Sequence, residues 1–474
     1  MLKPLFIILI LGLVGCQKDN QIDNSGILTS KEIAKADSLA KVNAIIDPGT
    51  NIWIDANDKI TINPNIFGLN NDWAQVTNAQ YATFAKANDA NSYTILRYPG
   101  GFESEYYNWN NNTTPNWANT PSVAGATPNT MKNNSSNYGI VIPIQNAMLK
   151  SLNSQAWLDA VSDLKIIAET SINSLGINNI KVVEIGNEWW LHYGGGVSRA
   201  DKLIKYAKIA MNLAEHIDAK YPNRSFKLLV NGDYSEPDEF TTLKNQFAKA
   251  YHTIDGVALH TYTGYIENGH NIETLEAKIE ECANNWNPNK KYIYCSEWAP
   301  SRLYNDGKLY MEAANIIPDI VHIYARSGVS AGAYWPPINT SIPGLGLYDT
   351  NFGLFPCGQI FSDLAKNYTG EALKTMANSS LMANAALQNS NTMILYVAGK
   401  DLSTKTASIK VSGFTIKSIV SAVKLRPESY SQTNKDVPYI KENAIVALKT
   451  DNKLLFEVNK EGKYQIFKVI VSNL

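Results

Sequence analysis

The sequence predicts a (β/α)8 barrel followed by a C-terminal antiparallel β-sandwich. Between Ile66 and about Asn367, eight short apolar runs alternate with helical stretches. Repeated β–α alternation builds a parallel sheet, and eight units close it into a barrel. The structural alternative, an open doubly wound sheet, lacks its Gly-x-Gly-x-x-Gly turn after the first strand. Beyond residue 372 the pattern changes to short β-rich runs separated by turn residues, as in a sandwich.

The chain opens with Lys3 and an apolar run, Leu5–Val14, too short to span a bilayer comfortably. Residues 1–15 therefore read as a signal peptide. Leu13-Val14-Gly15-Cys16 has the form of a bacterial lipobox, which predicts lipidation of Cys16 and an N-terminal lipid anchor. An ordinary cleaved signal with an incidental cysteine is the alternative. Gln17-Lys18-Asp19 resembles the surface-export tag of lipoproteins in the Bacteroidetes. The predicted address is the outer membrane, facing the cell surface or the periplasm. Polar residues 16–46 read as a tether, with one or two helical turns around Lys31–Val42. No other apolar run is long enough for a membrane helix, so the lipid is the expected membrane attachment.

Residues 47–64 hold one alternating strand, Asn51–Ile62, which ends at Asn63-Pro64 and is expected to join the sandwich. The barrel is assigned to residues 65–372. Its strands are Ile66–Asn70, Tyr93–Tyr98, Gly139–Ile144, Val182–Gly186, Lys227–Val230, Gly256–His260, Tyr292–Ser296 and Gly332–Trp335. Helical stripes lie between them, as in Trp157–Leu175 and Arg199–Lys220. Gly100–Pro128 is long, aperiodic and rich in Asn, Thr and Trp. Long loops inside compact domains are usually functional or disordered. Following strand two, this one falls on the active face, with Trp109 and Trp117 either touching substrate or packed beneath a flap. Residues 373–474 form the sandwich, with strands at Thr392–Ala398, Ser408–Val411, Ala444–Leu448 and Tyr464–Val471.

Composition narrows the partners. A formal net charge of −1 gives no electrostatic footprint for nucleic acid. Only 18% of residues are charged, which suits a neutral polar partner better than a phosphate-rich one. Beyond Cys16 three cysteines remain, Cys282, Cys295 and Cys357, an odd number that rules out a full disulfide framework. No Cys-x-x-Cys or His-x-x-x-His pair suggests a metal site, and no cofactor is expected.

The chemistry sits at strand ends. Val182–Trp190 reads Val-Val-Glu-Ile-Gly-Asn-Glu-Trp-Trp, and Lys291–Trp298 ends in Ser-Glu-Trp. Glu188 and Glu297 thus close two apolar strands, each followed by Trp, and barrel strand ends converge on one face. Cleaving an acetal at neutral pH requires protonating a poor leaving group and stabilising an oxocarbenium-like centre, which two carboxyls can do together. Asn187 could hold a sugar hydroxyl. Arg97 either keeps the nucleophilic carboxylate ionised or forms a structural ion pair. His260 and Tyr262 stand at another strand end, with Tyr262 able to donate to Glu297. Trp335 is either an aromatic floor for the sugar or a core side chain, and Trp298 backs Glu297.

These motifs resemble glycoside hydrolase clan A, whose (β/α)8 barrels use Asn-Glu after strand four as acid/base and Glu after strand seven as nucleophile. The resemblance implies those roles for Asn187-Glu188 and Glu297, with Arg97 and His260-Thr261-Tyr262 also in register. Leu96-Arg97-Tyr98-Pro99-Gly100-Gly101, with Tyr107-Asn108-Trp109 following, looks most like the arabinofuranosidases of family 51 and their endoglucanase relatives. Families 30, 39, 44 and 79 share the barrel-plus-sandwich layout, and the resemblance runs from about Asn51 to Leu474. Trp189-Trp190-Leu191-His192 departs from the short Pro- or Met-containing sequels common in the clan. The expected activity is retaining hydrolysis of a plant or algal polysaccharide or its oligosaccharides. A non-catalytic surface glycan-binding lipoprotein would need the tryptophans but not both glutamates. Transglycosylation would use the same residues with a sugar as acceptor.

Overall fold

The computed structural model describes residues 47–71, 75–113, 125–135, 137–191, 196–247, 253–263, 272–289, 292–300, 309–338, 344–400, 403–428, 438–458, 462 and 464–474. Cys16, the tether and Trp117 lie outside them. After β1 (Ile52–Thr61), eight parallel strands close into a barrel: β2 (Gly68–Asn70), β3 (Leu96–Tyr98), β4 (Tyr138–Ile142), β5 (Ile180–Ile185), β6 (Lys227–Asp233), β7 (Gly256–His260), β8 (Tyr292–Trp298) and β9 (Ala331–Tyr334). Each overlaps a run nominated by the sequence. Pairing of β9 with β2, through Ala333–Gly68 and Tyr334–Leu69, seals the ring.

The helices pack outside for a simple reason. Helix Arg199–Lys220 buries Leu203, Tyr206, Ala207, Ala210, Leu213, Ala214 and Ile217, the stripe that its 3.6-residue period aligns. Ser198 starts it by accepting the Asp201 N–H at 3.1 Å, a cap worth about 1 kcal/mol.

The barrel interior is filled in layers. Ile95, Val182, Leu229, Ala258, Tyr294, Ala331 and Ala333 form one apolar cluster. Strand side chains alternate, so the residue two positions on points the same way. Counting two onward from five of these gives Arg97, Glu184, Asn231, His260 and Ser296, all buried and all polar. A polar layer thus lies directly above the apolar one, toward the C-terminal ends of the strands.

The chain leaves the barrel through helix Pro356–Asn367 and enters β10 (Glu371–Ala377), near the expected boundary. The strands β11 (Leu381–Asn389), β12 (Thr392–Gly399), β13 (Thr406–Ser412), β14 (Ser418–Arg426), β15 (Ile440–Asn443), β16 (Ala447–Lys449), β17 (Lys453–Glu457) and β18 (Ile466–Ser472) follow. With β1 they form one ten-stranded sheet in the order β15-β14-β18-β12-β11-β10-β1-β13-β17-β16. Phe456 on β17 and Phe467 on β18 have ring centroids 5.0 Å apart although five strands separate them in the sheet. The sheet therefore curls over and encloses its own core, including Ile52, Ile54, Leu395, Ile409 and Val469. The sheet is antiparallel as expected except at one pairing. β1 joins as predicted, antiparallel to β10, but runs parallel to β13. A strand arriving from before the barrel has no hairpin to fix its direction, so its neighbours do.

Candidate active site

Local backbone devices aim the two glutamates. On β5 the chain turns at Gly186, whose φ of +76° is open to glycine; a Cβ there would also meet Ile144 Cδ1 at 2.5 Å. Glu188 itself adopts φ +44°, a left-handed conformation that costs an ordinary residue on the order of 1 kcal/mol or more. Two anchors hold it there. Asn231 Oδ1 accepts the Glu188 N–H at 2.9 Å, and buried Glu105 accepts the Asn187 N–H. Glu105 also accepts the N–H groups of Ile144 (2.7 Å) and Gln145 (2.9 Å), tying the loop after β3 to the ends of β4 and β5. Trp189 stacks on Tyr206 at 5.4 Å and donates to the Asn231 carbonyl at 3.0 Å, which seats the double-tryptophan sequel under the turn.

On β8 the register slips: Leu259 pairs with Cys295, but His260 pairs with Glu297. The extra residue is a bulge, and bulges re-aim side chains beside active sites. Its effect here is specific. Ser296 and Glu297 are consecutive and should face opposite ways, yet Ser296 Oγ reaches Glu184 at 3.0 Å while Glu297 reaches Arg97 at 2.9 Å.

Arg97 is wholly buried and every nitrogen is engaged. Nε donates to Glu184 at 2.7 Å, Nη1 to Glu297 at 2.9 Å, and Nη2 to Asn187 Oδ1 at 2.7 Å. Nη1 also lies 3.4 Å from Asn70 Oδ1. Tyr262 donates to the other oxygen of Glu297. His260 Nδ1 contacts Glu188 at 3.1 Å and Glu297 at 3.8 Å, while Nε2 lies 3.6 Å from Glu184. Burial alone would strip this imidazole of its proton. The charge of Glu297 and the hydrogen bonds to Glu184 and Glu188 outweigh burial and push its pKa up to about 9. Burial likewise pushes the Glu184 carboxyl upward, but Arg97 and His260 hold it below the usual range.

The two glutamates end up as close neighbours. Oxygens of Glu188 and Glu297, together with a His260 ring nitrogen, all lie within 4.8 Å of one another. Such a trio could also offer ligands to a cation, but the raised pKa of His260, about 9, favours a protonated ring, which cannot ligate one. Glu188 is half-buried and Glu297 is nearly covered. Trp335, half-buried, meets Tyr262 edge to face at 6.0 Å, and Trp190 meets the His260 ring at 5.9 Å.

Several sequence-based assignments change. Trp298 has no exposed surface; its ring packs against Tyr324, Tyr334 and Phe361 below the site, so no face is left for a sugar. Trp109 is buried against Tyr98 and Tyr107 and props the loop from beneath. Arg97 and Asn187 are fully buried too, and meet the site through the Glu297 carboxylate and the turn that carries Glu188. Glu105, Glu184, Asn231 and Ser296 are functional neighbours that the sequence reading missed.

A groove of about 410 Å³ lies elsewhere, among Glu276, Asp319, Arg326, Lys374 and Lys400, where barrel helices meet β10 and β11. Asp319 accepts from Asn384 at 3.0 Å and Arg326 pairs with Asp58 at 2.7 Å, so internal partners occupy these charges. Cys282, Cys295 and Cys357 are buried free thiols. Among the described residues no helix is long and apolar enough to cross a membrane.

No family model matches the sequence, and no curated protein does. Solved structures do match. The chain is similar to a family 51 α-L-arabinofuranosidase from Bifidobacterium longum, at TM-score 0.62 and 15% identity, over 90% of this chain and 100% of that one. It is similar to a GH51 arabinofuranosidase from Xanthomonas axonopodis pv. citri, at TM-score 0.63 and 12% identity, over 89% and 100%. A GH family 44 xyloglucanase from Paenibacillus polymyxa matches at TM-score 0.57 and 13% identity, over 89% and 99%. At these identities the likeness establishes the architecture, a (β/α)8 barrel joined to a β-sandwich.

Proposed function

We propose that the protein is a retaining glycoside hydrolase in which Glu297 is the nucleophile and Glu188 the general acid/base. The observation that carries this reading is the approach of the two glutamate side chains to within 4.8 Å at the C-terminal face of the barrel. Retaining enzymes hold their carboxyl groups about 5–5.5 Å apart, whereas an inverting enzyme needs roughly 6.5–9.5 Å to admit a water. The fold shared with an arabinofuranosidase and a xyloglucanase supports the substrate class, a plant or algal polysaccharide or its oligosaccharides.

The chemistry follows from the partners. Arg97 and Tyr262 donate to the two oxygens of Glu297, which fixes the direction of that carboxylate. A Glu297 oxygen attacks the anomeric carbon as the glycosidic bond breaks, and Glu188 gives its proton to the departing oxygen. The sugar is then held as an ester of Glu297. Glu188, now ionised, takes a proton from water, the water oxygen bonds to the anomeric carbon, and Glu297 leaves as carboxylate. The proposal extends to location: lipidation at Cys16 would tether the enzyme to the outer membrane, on the strength of the Leu13–Cys16 sequence.

The test is stereochemical. Purified protein incubated with a polysaccharide that it cleaves should first release product with the substrate's own anomeric configuration, read by proton NMR before mutarotation. Initial release of the opposite anomer would remove the nucleophile role from Glu297.

A further inference from the structure

We propose that Glu184 is a positioning residue for both catalytic glutamates, holding Arg97 beneath Glu297 and, through Asn231, the backbone of Glu188. This rests on the roles given above to Glu188 and Glu297.

Three observations converge on it. Glu184 lies among the buried apolar residues Val182, Val183 and Ile185 of its strand, has no exposed surface and cannot reach substrate. A carboxylate so placed is costly unless it is paired and hydrogen-bonded. It is both: Oε2 accepts Arg97 Nε at 2.7 Å, and Oε1 accepts Asn231 Nδ2 at 2.6 Å and Ser296 Oγ at 3.0 Å. Each of these donors then acts directly on the catalytic pair. Arg97 spends a second nitrogen on Glu297. Asn231 spends its oxygen on the Glu188 N–H, which holds the strained φ of +44°. Ser296 is the bulge residue that turns Glu297 inward. One carboxylate therefore braces β3, β6 and β8 against β5 at the level just below the reacting groups.

Glu184 also balances charge. The charged groups facing it are Arg97 from β3 and His260 from β7; Tyr206 and Tyr294 add neutral phenols within electrostatic reach. His260 in turn faces Glu184, Glu188 and Glu297, with Arg97 Nη2 3.4 Å from its Nε2. That last contact becomes a hydrogen bond only when Nε2 lacks a proton. Removing the Glu184 charge therefore favours a neutral ring that accepts from Arg97, and Arg97 is drawn away from Glu297.

The decisive variants are Glu184→Gln and Glu184→Asp, each read by kcat and KM on an aryl glycoside and by NMR titration of the His260 ring. For Glu184→Gln we expect kcat to fall about a hundredfold or more, the usual cost of misplacing catalytic groups by an ångström, with KM changed far less. The His260 midpoint should drop by roughly one unit or more. Glu184→Asp keeps the charge, so its His260 midpoint should stay within about half a unit of the parent while kcat falls through lost reach. A Glu184→Gln protein with parental kcat and an unmoved His260 midpoint overturns the proposal, as does a Glu184→Asp protein that titrates like Glu184→Gln. If Glu184→Gln does not fold, Glu184→Asp decides alone: full parental kcat overturns the proposal. If the parent cleaves no glycoside, the proposed function fails, while the two titrations still decide the role of Glu184.

Discussion

Glu297→Gln separates the chemistry from the architecture. The amide is nearly isosteric with the carboxylate, and its oxygen can still accept from Arg97 or Tyr262. Breaking a buried ion pair is usually costly because it strands the surviving charge. Here Arg97 keeps Glu184 and Asn187, both at 2.7 Å, so it is not stranded. The expected loss of stability is therefore only about 1–3 kcal/mol, the cost of one charge-assisted hydrogen bond. Turnover has no such reserve. A neutral amide forms no glycosyl ester, and kcat should fall by on the order of 10⁴-fold or more, as when other covalent nucleophiles are removed. A second signal comes from His260. The Glu297 charge is its strongest support against burial, so its midpoint of about 9 should fall by roughly one to two units. Thermal unfolding, steady-state kinetics on an aryl glycoside and NMR titration measure the three effects. A variant with kcat within tenfold of the parent refutes the nucleophile assignment. An unmoved His260 midpoint refutes the electrostatic account of the site, whatever the kinetics.

Other expectations follow from the same geometry. Glu188→Ala should still form the glycosyl ester from an aryl glycoside with a good leaving group, then stall for lack of a base; added azide should restore turnover, and no rescue in a protein that binds substrate would count against the acid/base role. His260, at about 9 when folded against an ordinary 6.5, contributes roughly 3 kcal/mol to stability below pH 6.5, lost as pH rises through 9. Urea unfolding of the parent and of His260→Gln across that window should converge at high pH; parallel curves would contradict this sign. Cys16→Ala should move the full-length protein out of the membrane fraction with its specific activity intact, and retention there would disprove the lipid anchor.

The barrel was readable because a buried parallel strand is a nearly continuous apolar run, and eight such runs recur with helical stripes between them. Glu188 and Glu297 were readable because each interrupts an apolar run at its C-terminal end. Glu184 carried the same kind of signal, a charge inside a buried strand, but it was read as part of the strand Val182–Gly186. Period-two counting from the apolar layer turns Glu184, Asn231 and Ser296 toward Arg97, but it turns Glu297 away, and only the bulge at Ser296 brings Glu297 to the same side. A bulge has no marker in a single sequence, so that step needed coordinates. Glu105 was hidden differently: its three N–H partners belong to residues 144, 145 and 187, far along the chain from an aperiodic loop. Trp298 and Trp109 were ambiguous for a third reason. An indole after a strand end fits a sugar or a core equally well, and only the ring contacts of Trp298 and Trp109 assign them to the core.

The close approach of the glutamates has a consequence for where protons sit. Two ionised carboxylates with oxygens within 4.8 Å of each other repel by about 3 kcal/mol or more at an effective dielectric of about 20. Arg97 offsets part of this for Glu297, but Glu184 already shares that guanidinium. The proton of His260 offsets part of the rest: its ring faces Glu188 at 3.1 Å, and its pKa is pushed up to about 9. In the proposed mechanism that positive ring stands beside Glu188 while both carboxylates are charged. When Glu297 becomes an ester its charge disappears, and with it the strongest support of the His260 proton. In the proposed mechanism, the carboxylate that attacks the sugar is therefore also the one that supports the His260 proton, and forming the ester weakens that support.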